Sequence, residues 1–242
     1  MRVAVVGAGV VGVATAYELV AEGHEVTVFE RRGTAAERDS FATGGLVSPA
    51  WAAAWSVPER ALHGPWSAPG PGLRRTGWTG NAPKGWSGRW QKSPAWRSAS
   101  PAQVARLALL RLSQQRLDDL SAELQLDHDR SDGMLVLLRS AKDVEQASAD
   151  AAVLRQQGLV VRELSAAQAR ALEPALNPDM PLSAALQLEG SAVGHCREWA
   201  LLMRQHAQRL GCRFETKTGV RRILPVDGQG VQVMAGDEAG QA

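Results

Sequence analysis

The first apolar run, Val3-Ala4-Val5-Val6, is short and largely β-branched, and it breaks into Gly7-Ala8-Gly9-Val10-Val11-Gly12 before an alanine-rich segment carries on to Gly23. This pattern predicts a strand, a tight glycine turn and a helix. A second run, Glu25-Val26-Thr27-Val28-Phe29, predicts another strand ending at Glu30. Residues 51 to 100 show neither helical nor alternating periodicity. Order returns at Ser100-Pro101-Ala102-Gln103, where Ser at the N-cap, Pro at the first helical position and Gln at the third start a helix. Val104, Leu107, Leu110, Leu117, Leu120 and Leu124 mark its apolar face. Gly133 to Leu138 reads as a buried strand, Ala141 to Gln157 as a helix closed by Gly158, and Leu159 to Leu164 as a strand. Ser165-Ala166-Ala167-Gln168 reads as the capped start of a short helix. Arg197 to Leu210 is amphipathic and stops at Gly211. Strands follow over Cys212 to Glu215, Val220 to Leu224 and Val231 to Met234, the last two joined through Asp227-Gly228. Strand and helix alternate, which predicts an α/β chain.

The glycine turn carries the first chemistry. Gly7 suits the tight exit from the strand, Gly9 lets backbone approach a pyrophosphate, and Gly12 lets helix and strand pack closely. The helix start beyond them offers N–H groups and a partial positive charge to phosphate, so Val6, Ala8, Val10 and Val11 join the glycines as candidate cofactor-binding residues. Glu30, eighteen residues past Gly12, is placed to accept hydrogen bonds from ribose hydroxyls and to oppose a 2′-phosphate. Arg31 and Arg32 either lie near phosphate or adenine or form a solvated charged pair. Ser40 to Pro49 is a loop of small residues; Gly44 and Gly45 permit close approach to a flat ligand, or simply make a turn.

Composition narrows the class without deciding the chemistry. With 242 residues, 45% hydrophobic and 21% charged, the chain is long enough for a sizeable core and ordinary for a globular protein. No apolar run reaches the roughly 18 residues of a membrane span. Cys196 and Cys212 have no C-x-x-C spacing and read as reduced structural thiols of a cytoplasmic protein. The net charge of +2 hides a basic stretch: residues 51 to 100 hold seven Lys/Arg against one acid, with seven of the eight tryptophans. That stretch reads as an irregular insertion near an active site or as out-of-frame coding sequence, rather than as a nucleic-acid surface, because its Trp-Gly-Arg mixture lacks ordered spacing. No histidine, acid pair, Gly-x-Ser-x-Gly elbow or metal-ligand spacing stands out as catalytic, and no metal site is expected.

Gly7 to Gly12, Glu30, the Ser40 to Pro49 loop and the Trp51 and Trp55 region together resemble the opening of the FAD-dependent D-amino-acid oxidase superfamily, and within it the bacterial D-amino-acid dehydrogenase small subunits. Similarity resumes at Leu172-Glu173-Pro174-Ala175-Leu176 and at the strand Leu186-Gln187-Leu188, which leads to Gly194-His195-Cys196. Thr43 stands where the family loop has Asn, and Ser191 and His195 where it has acids. The resemblance implies a Rossmann-like FAD-binding domain of the D-amino-acid oxidase type with a second α+β substrate domain. Residues 1–55 would form the first segment of the FAD domain, 56–99 the irregular stretch, 100–185 part of the substrate domain, and 186–242 the return to the FAD domain. The segment around Val220 would rejoin the nucleotide-binding sheet and meet adenine with its backbone.

FAD-dependent oxidative deamination of D-amino acids to 2-oxo acids and ammonia follows from the resemblance. Electrons would pass to a quinone or other acceptor, implying peripheral contact with the inner membrane and no nucleic-acid partner. A glycine or sarcosine oxidase type of amine oxidase, or an inactive nucleotide-binding fragment, shares the same opening. Family members hold the substrate carboxylate with groups that lie beyond Ala242, so the catalytic residues are unknown, and the chain is expected to be incomplete at its C-terminus and inactive alone.

Overall fold

The computed structural model describes residues 1–49, 101–156, 158–226, 228 and 230–237. The irregular stretch expected over 56–99, the Trp51 and Trp55 region and the Ser100 cap lie outside these residues. In chain order the elements are β1 (Arg2–Val6), α1 (Val10–Ala21), β2 (Glu25–Phe29), β3 (Leu46–Val47), α2 (Pro101–Glu123), β4 (Ser131–Asp132), β5 (Leu135–Leu138) and α3 (Ala141–Gln156). There follow β6 (Val161–Ser165), α4 (Ala166–Leu172), β7 (Ala184–Leu188), β8 (Ala192–Val193), α5 (Cys196–Arg209), β9 (Arg213–Glu215), β10 (Thr218–Val226) and β11 (Gly230–Asp237). The described residues fall into two compact units, one drawn from Met1–Leu46, Asp119–Arg130 and Val193–Ala242, the other from Val47–Asp118 and Ser131–Ala192.

In the first unit β1, β2 and β9 form a parallel sheet in the order β1-β2-β9. Parallel neighbours need a crossover between them, and α1 and α5 serve as those crossovers and pack against one another. Val13, Ala16, Tyr17 and Val20 of α1 are buried, as are Val26 and Val28 of β2 and Trp199, Ala200, Met203 and Ala207 of α5. Spacing of three or four along each helix puts these side chains on one face. The hairpin β10–β11 is antiparallel and separate from this sheet, with a register shift between Val220 and Arg222. Val220 therefore does not rejoin the nucleotide-binding sheet; Arg213–Glu215 does, paired with β2. The hairpin starts beside the sheet through two backbone bonds, Lys217 N–H to the Arg32 carbonyl at 2.8 Å and Thr218 N–H to the Glu30 carbonyl at 2.9 Å.

In the second unit β7 lies between β5 and β6 and runs antiparallel to both. Strand and helix alternate along β5-α3-β6, and insertion of β7 between the two strands makes this an antiparallel α+β layer, as the resemblance implies for the second domain. The expected boundary at 185/186 also cuts through β7, which is paired on both sides within this unit. Val136, Leu138, Ala147, Ala151, Leu154, Val161, Leu186 and Leu188 make its core. Only Val136 and Leu138 of β5 are buried, so the apolar run alternates across the sheet instead of being buried throughout. β6 begins at Val161, later than Leu159, because the Leu159 N–H is used to close α3 on the Leu154 carbonyl at 3.1 Å. A reciprocal capping box starts α4: Ser165 Oγ accepts from Gln168 N–H at 3.2 Å, and Gln168 Oε1 accepts from Ser165 N–H at 2.8 Å.

Cys212, at the turn from α5 into β9, is only 4% exposed, and burial pushes its thiol from 9.0 up to about 11. A folded value above the unfolded one stabilises the fold fully below about pH 9 and loses that contribution as pH rises toward 11. Denaturant titrations should therefore show stability falling between these pH values by about 2 kcal/mol more in the parent than in Cys212→Ala. At neutral pH, iodoacetamide should modify the half-buried Cys196 well before Cys212.

Candidate dinucleotide site

The turn between β1 and α1 is held from several sides. Gly7 has φ +96, a conformation that side chains disfavour, and its N–H donates to the Phe29 carbonyl at 2.8 Å. Gly12 lies beneath the turn: a Cβ there would stand 2.0 Å from the Gly7 carbonyl oxygen. Gly9 is ordinary in backbone, with φ −69 and ψ 175, and a Cβ on it would meet Ser40 Oγ at 3.2 Å. Of the three glycines, Gly7 is needed for conformation and Gly12 for packing. Gly9 is free in conformation, and its missing side chain leaves room for Ser40 Oγ beside the helix start.

Glu30 closes the turn from the β2 side. Its Oε2 accepts from the Ala8 N–H at 2.7 Å and its Oε1 from the Arg32 N–H at 2.8 Å. Its backbone is fixed as well, the N–H donating to the Glu215 carbonyl at 2.8 Å and the carbonyl accepting from Thr218 N–H at 2.9 Å. The carboxylate is thus presented in one orientation, and each oxygen keeps a lone pair for a further donor.

The segment after β2 forms the opposite wall. Ala36, at φ +57, donates its N–H to the Ala8 carbonyl at 2.9 Å. Ser40 Oγ accepts from the Val10 N–H at 3.0 Å, capping α1 from thirty residues away. One N–H of the helix start is therefore satisfied by Ser40, whereas those of Val11 and Gly12 belong to the first turn, which has no intrahelical acceptors. No acidic residue sits in that turn to compete with an anion.

These elements enclose a cleft of about 880 Å³ within the first unit. Val6, Gly7, Gly9, Val10, Val11, Glu30, Arg31, Ser40 and Val220 line it, bringing most of the predicted residues together. Ala8 is fully buried beneath the cleft, and Gly12 supports it without lining it. Gly44 and Gly45 lie away from it: a Cβ on Gly45, at φ +63, would stand 2.3 Å from the Gly194 carbonyl, and the Gly45 carbonyl accepts from Gly194 N–H at 2.9 Å. The close approach that Gly45 permits is to another backbone segment. Phe29, Ala36, Arg38, Thr218, Gly219, Arg221 and Gly236 also line the cleft, unforeseen from sequence. Gly219 and Gly236 pair across the hairpin, a two-glycine signal that only known strand register reveals.

Two of the histidines take structural positions. His195 Nδ1 accepts from Glu198 N–H at 3.2 Å as the N-cap of α5, and His128 is buried with Nδ1 3.2 Å from the Leu126 carbonyl. Among the described residues no group of three or more His, Cys, Asp or Glu is placed to hold a metal ion, and no helix is long and apolar enough to cross a membrane.

Residues 2–242 match the DAO family, described as FAD dependent oxidoreductase. D-amino acid dehydrogenases from two strains of Cereibacter sphaeroides are 34% identical over 253 aligned positions, covering 98% of this chain and 56% of each relative. Glycine oxidase from Geobacillus kaustophilus has the same fold with TM-score 0.68 at 20% identity, over 97% of this chain and 51% of that one. Reduced L-alpha-glycerophosphate oxidase from Mycoplasma pneumoniae, with FAD bound, gives 0.61 at 19% identity over 98% and 50%. The chain therefore spans about half the length of the proteins it matches.

Proposed function

Because the chain belongs to the DAO family of FAD dependent oxidoreductases, we propose that its glycine-turn cleft holds the ADP half of FAD and that the protein oxidises D-amino acids to 2-oxo acids and ammonia. The observation that carries the cofactor reading is the Glu30 carboxylate, fixed by the Ala8 and Arg32 N–H groups at the cleft wall. In that position it accepts from the ribose hydroxyls and opposes a 2′-phosphate. The cleft fits the rest of the group. The floor carries no side chain at Gly7 or Gly9, and nothing lies within 4 Å of where a Gly7 Cβ would point. Val11 and Gly12 offer N–H groups to the pyrophosphate with the dipole of α1 behind them. Ser40 accepts from Val10, so its hydroxyl proton is available to a phosphate oxygen. The start of β10, including Val220, forms the wall for the adenosine end.

Bound FAD supplies the acceptor for the two electrons and the hydrogen leaving the amino acid's α-carbon. The protein's share here is to bind and orient that group. The D-amino acid substrate is drawn from the 34% identical relatives, and a quinone or other acceptor reached by peripheral membrane contact completes the proposal. Anaerobic mixing with D- and L-amino acids tests it, using FAD-loaded protein of the length of the matched relatives, because the groups that the resemblance assigns to the substrate carboxylate are not among the 242 residues. Bleaching of the flavin absorbance by D-amino acids alone is expected. Bleaching by glycine or sarcosine instead would assign the amine oxidase reading, and bleaching by L-amino acids alone would overturn the D-specific one.

A further inference from the structure

We propose that Arg197 and Arg204, both on α5, are positioning residues for this cleft: they clamp the two ends of the 34–41 loop that forms one of its walls. The inference rests on the reading of the cleft as the FAD site. Arg204 Nη1 donates to Thr34 Oγ1 at 2.8 Å, and its guanidinium stands 5.3 Å from the centre of the Phe214 ring on β9. Arg197 lies over the Phe41 ring with 4.5 Å between guanidinium carbon and ring centre. Seven residues is about two helical turns, so both arginines project from one face of α5 toward the loop. One arginine holds the loop where it starts and the other where it ends.

Between those ends the loop is drawn inward, by Ala36 to the Ala8 carbonyl and by Ser40 to the Val10 N–H. Ala36 sits at φ +57, which costs a non-glycine residue about 1 kcal/mol, so surrounding contacts must hold the loop in this shape. Neither arginine lines the cleft. Nor does either form an ion pair with a carboxylate among the described residues, and both leave a buried Nε without an acceptor. A residue selected only to fill the space would avoid that desolvation cost. The contacts these guanidiniums do make are a hydroxyl and two aromatic rings, and the loop supplies Thr34 and Phe41.

The test compares Thr34→Val, Arg204→Met, Arg204→Lys and Arg197→Met with the parent chain. Two quantities are read: FAD dissociation constant, and the rate at which trypsin cuts after the exposed Arg38 in the absence of FAD. Thr34→Val removes only a hydroxyl from the half-buried Thr34 and keeps the fold, as far-ultraviolet circular dichroism should confirm. It and Arg204→Met should each weaken FAD about fivefold and speed cutting at Arg38, and Arg204→Lys should recover part of both effects. Combining Thr34→Val with Arg204→Met should weaken FAD no further than either alone, since both remove one hydrogen bond. Arg197→Met should loosen the same loop from its other end. Parent-like FAD affinity and parent-like protection of Arg38 in these variants would overturn the clamp, while loss of FAD by Glu30→Ala in the same series would leave the cofactor reading standing. Faster cutting at Arg38 with unchanged FAD affinity, in these variants and in Glu30→Ala alike, would support the clamp and remove FAD from the cleft.

Discussion

Replacing Gly12 with alanine should abolish FAD binding and lower the unfolding free energy by about 3 kcal/mol. The added Cβ would stand 2.0 Å from the Gly7 carbonyl oxygen, 3.1 Å from its carbon and 3.5 Å from Val5 Cγ1. Two of these atoms are backbone and cannot rotate aside, and Gly7 is pinned by its bond to Phe29. The relief open to the chain is for α1 to lift from β1, which disturbs the packing of Val13, Ala16, Tyr17 and Val20, all buried. Gly9→Ala offers the contrast. Its backbone suits any residue, and its Cβ would meet only the Ser40 hydroxyl at 3.2 Å, so folding should stay near the parent's while FAD weakens. Urea unfolding followed by circular dichroism, with FAD titration of both variants, separates packing from access. Parent-like stability in Gly12→Ala would contradict the close contact of helix and strand.

The second large effect is expected at Glu30. In Glu30→Ala the Ala8 N–H, in a residue with no solvent exposure, loses its 2.7 Å acceptor, and the Arg32 N–H loses its own at 2.8 Å. A buried donor left without a partner costs about 1 to 3 kcal/mol, so the apo protein itself should be destabilised. The ribose hydroxyls lose their acceptor as well, and FAD should bind on the order of 10- to 100-fold more weakly. Glu30→Gln should fall between, since its amide offers one oxygen where the carboxylate offers two. NADP should not displace FAD from the parent, because its 2′-phosphate would face the Glu30 carboxylate with like charge. Thermal melting and fluorescence titration of the two variants check both halves of this expectation. A Glu30→Ala protein that melts with the parent would show that the two N–H groups are satisfied elsewhere.

Much of the site was legible because the chemistry is local. Gly7, Gly9 and Gly12 sit inside one strand-turn-helix, and β2 ends at Glu30, so a 2-residue and a 3.6-residue period suffice to place them. What stayed hidden depends on distance along the chain. Ser40 was a candidate by its loop, but its capping of Val10 needs the fold. The wall made by Thr218, Gly219 and Gly236 needs the register of β10 on β11. On sequence alone Gly45 suits either a flat ligand or a turn, and the same absence of a side chain serves its contact with Gly194. In the second unit the elements were recognised within a few residues. The direction of pairing was not, because alternation of strand and helix does not say that β7, late in the sequence, inserts between β5 and β6.

Calorimetric titration of FAD and of ADP into the 242-residue chain and its Glu30→Ala variant tests the central assignment most directly. One FAD should bind per chain, ADP should compete for the same site, and Glu30→Ala should weaken both ligands by a similar factor. FAD binding that ADP does not compete with, or that Glu30→Ala leaves unchanged, would contradict the placement of the ADP half against the glycine turn.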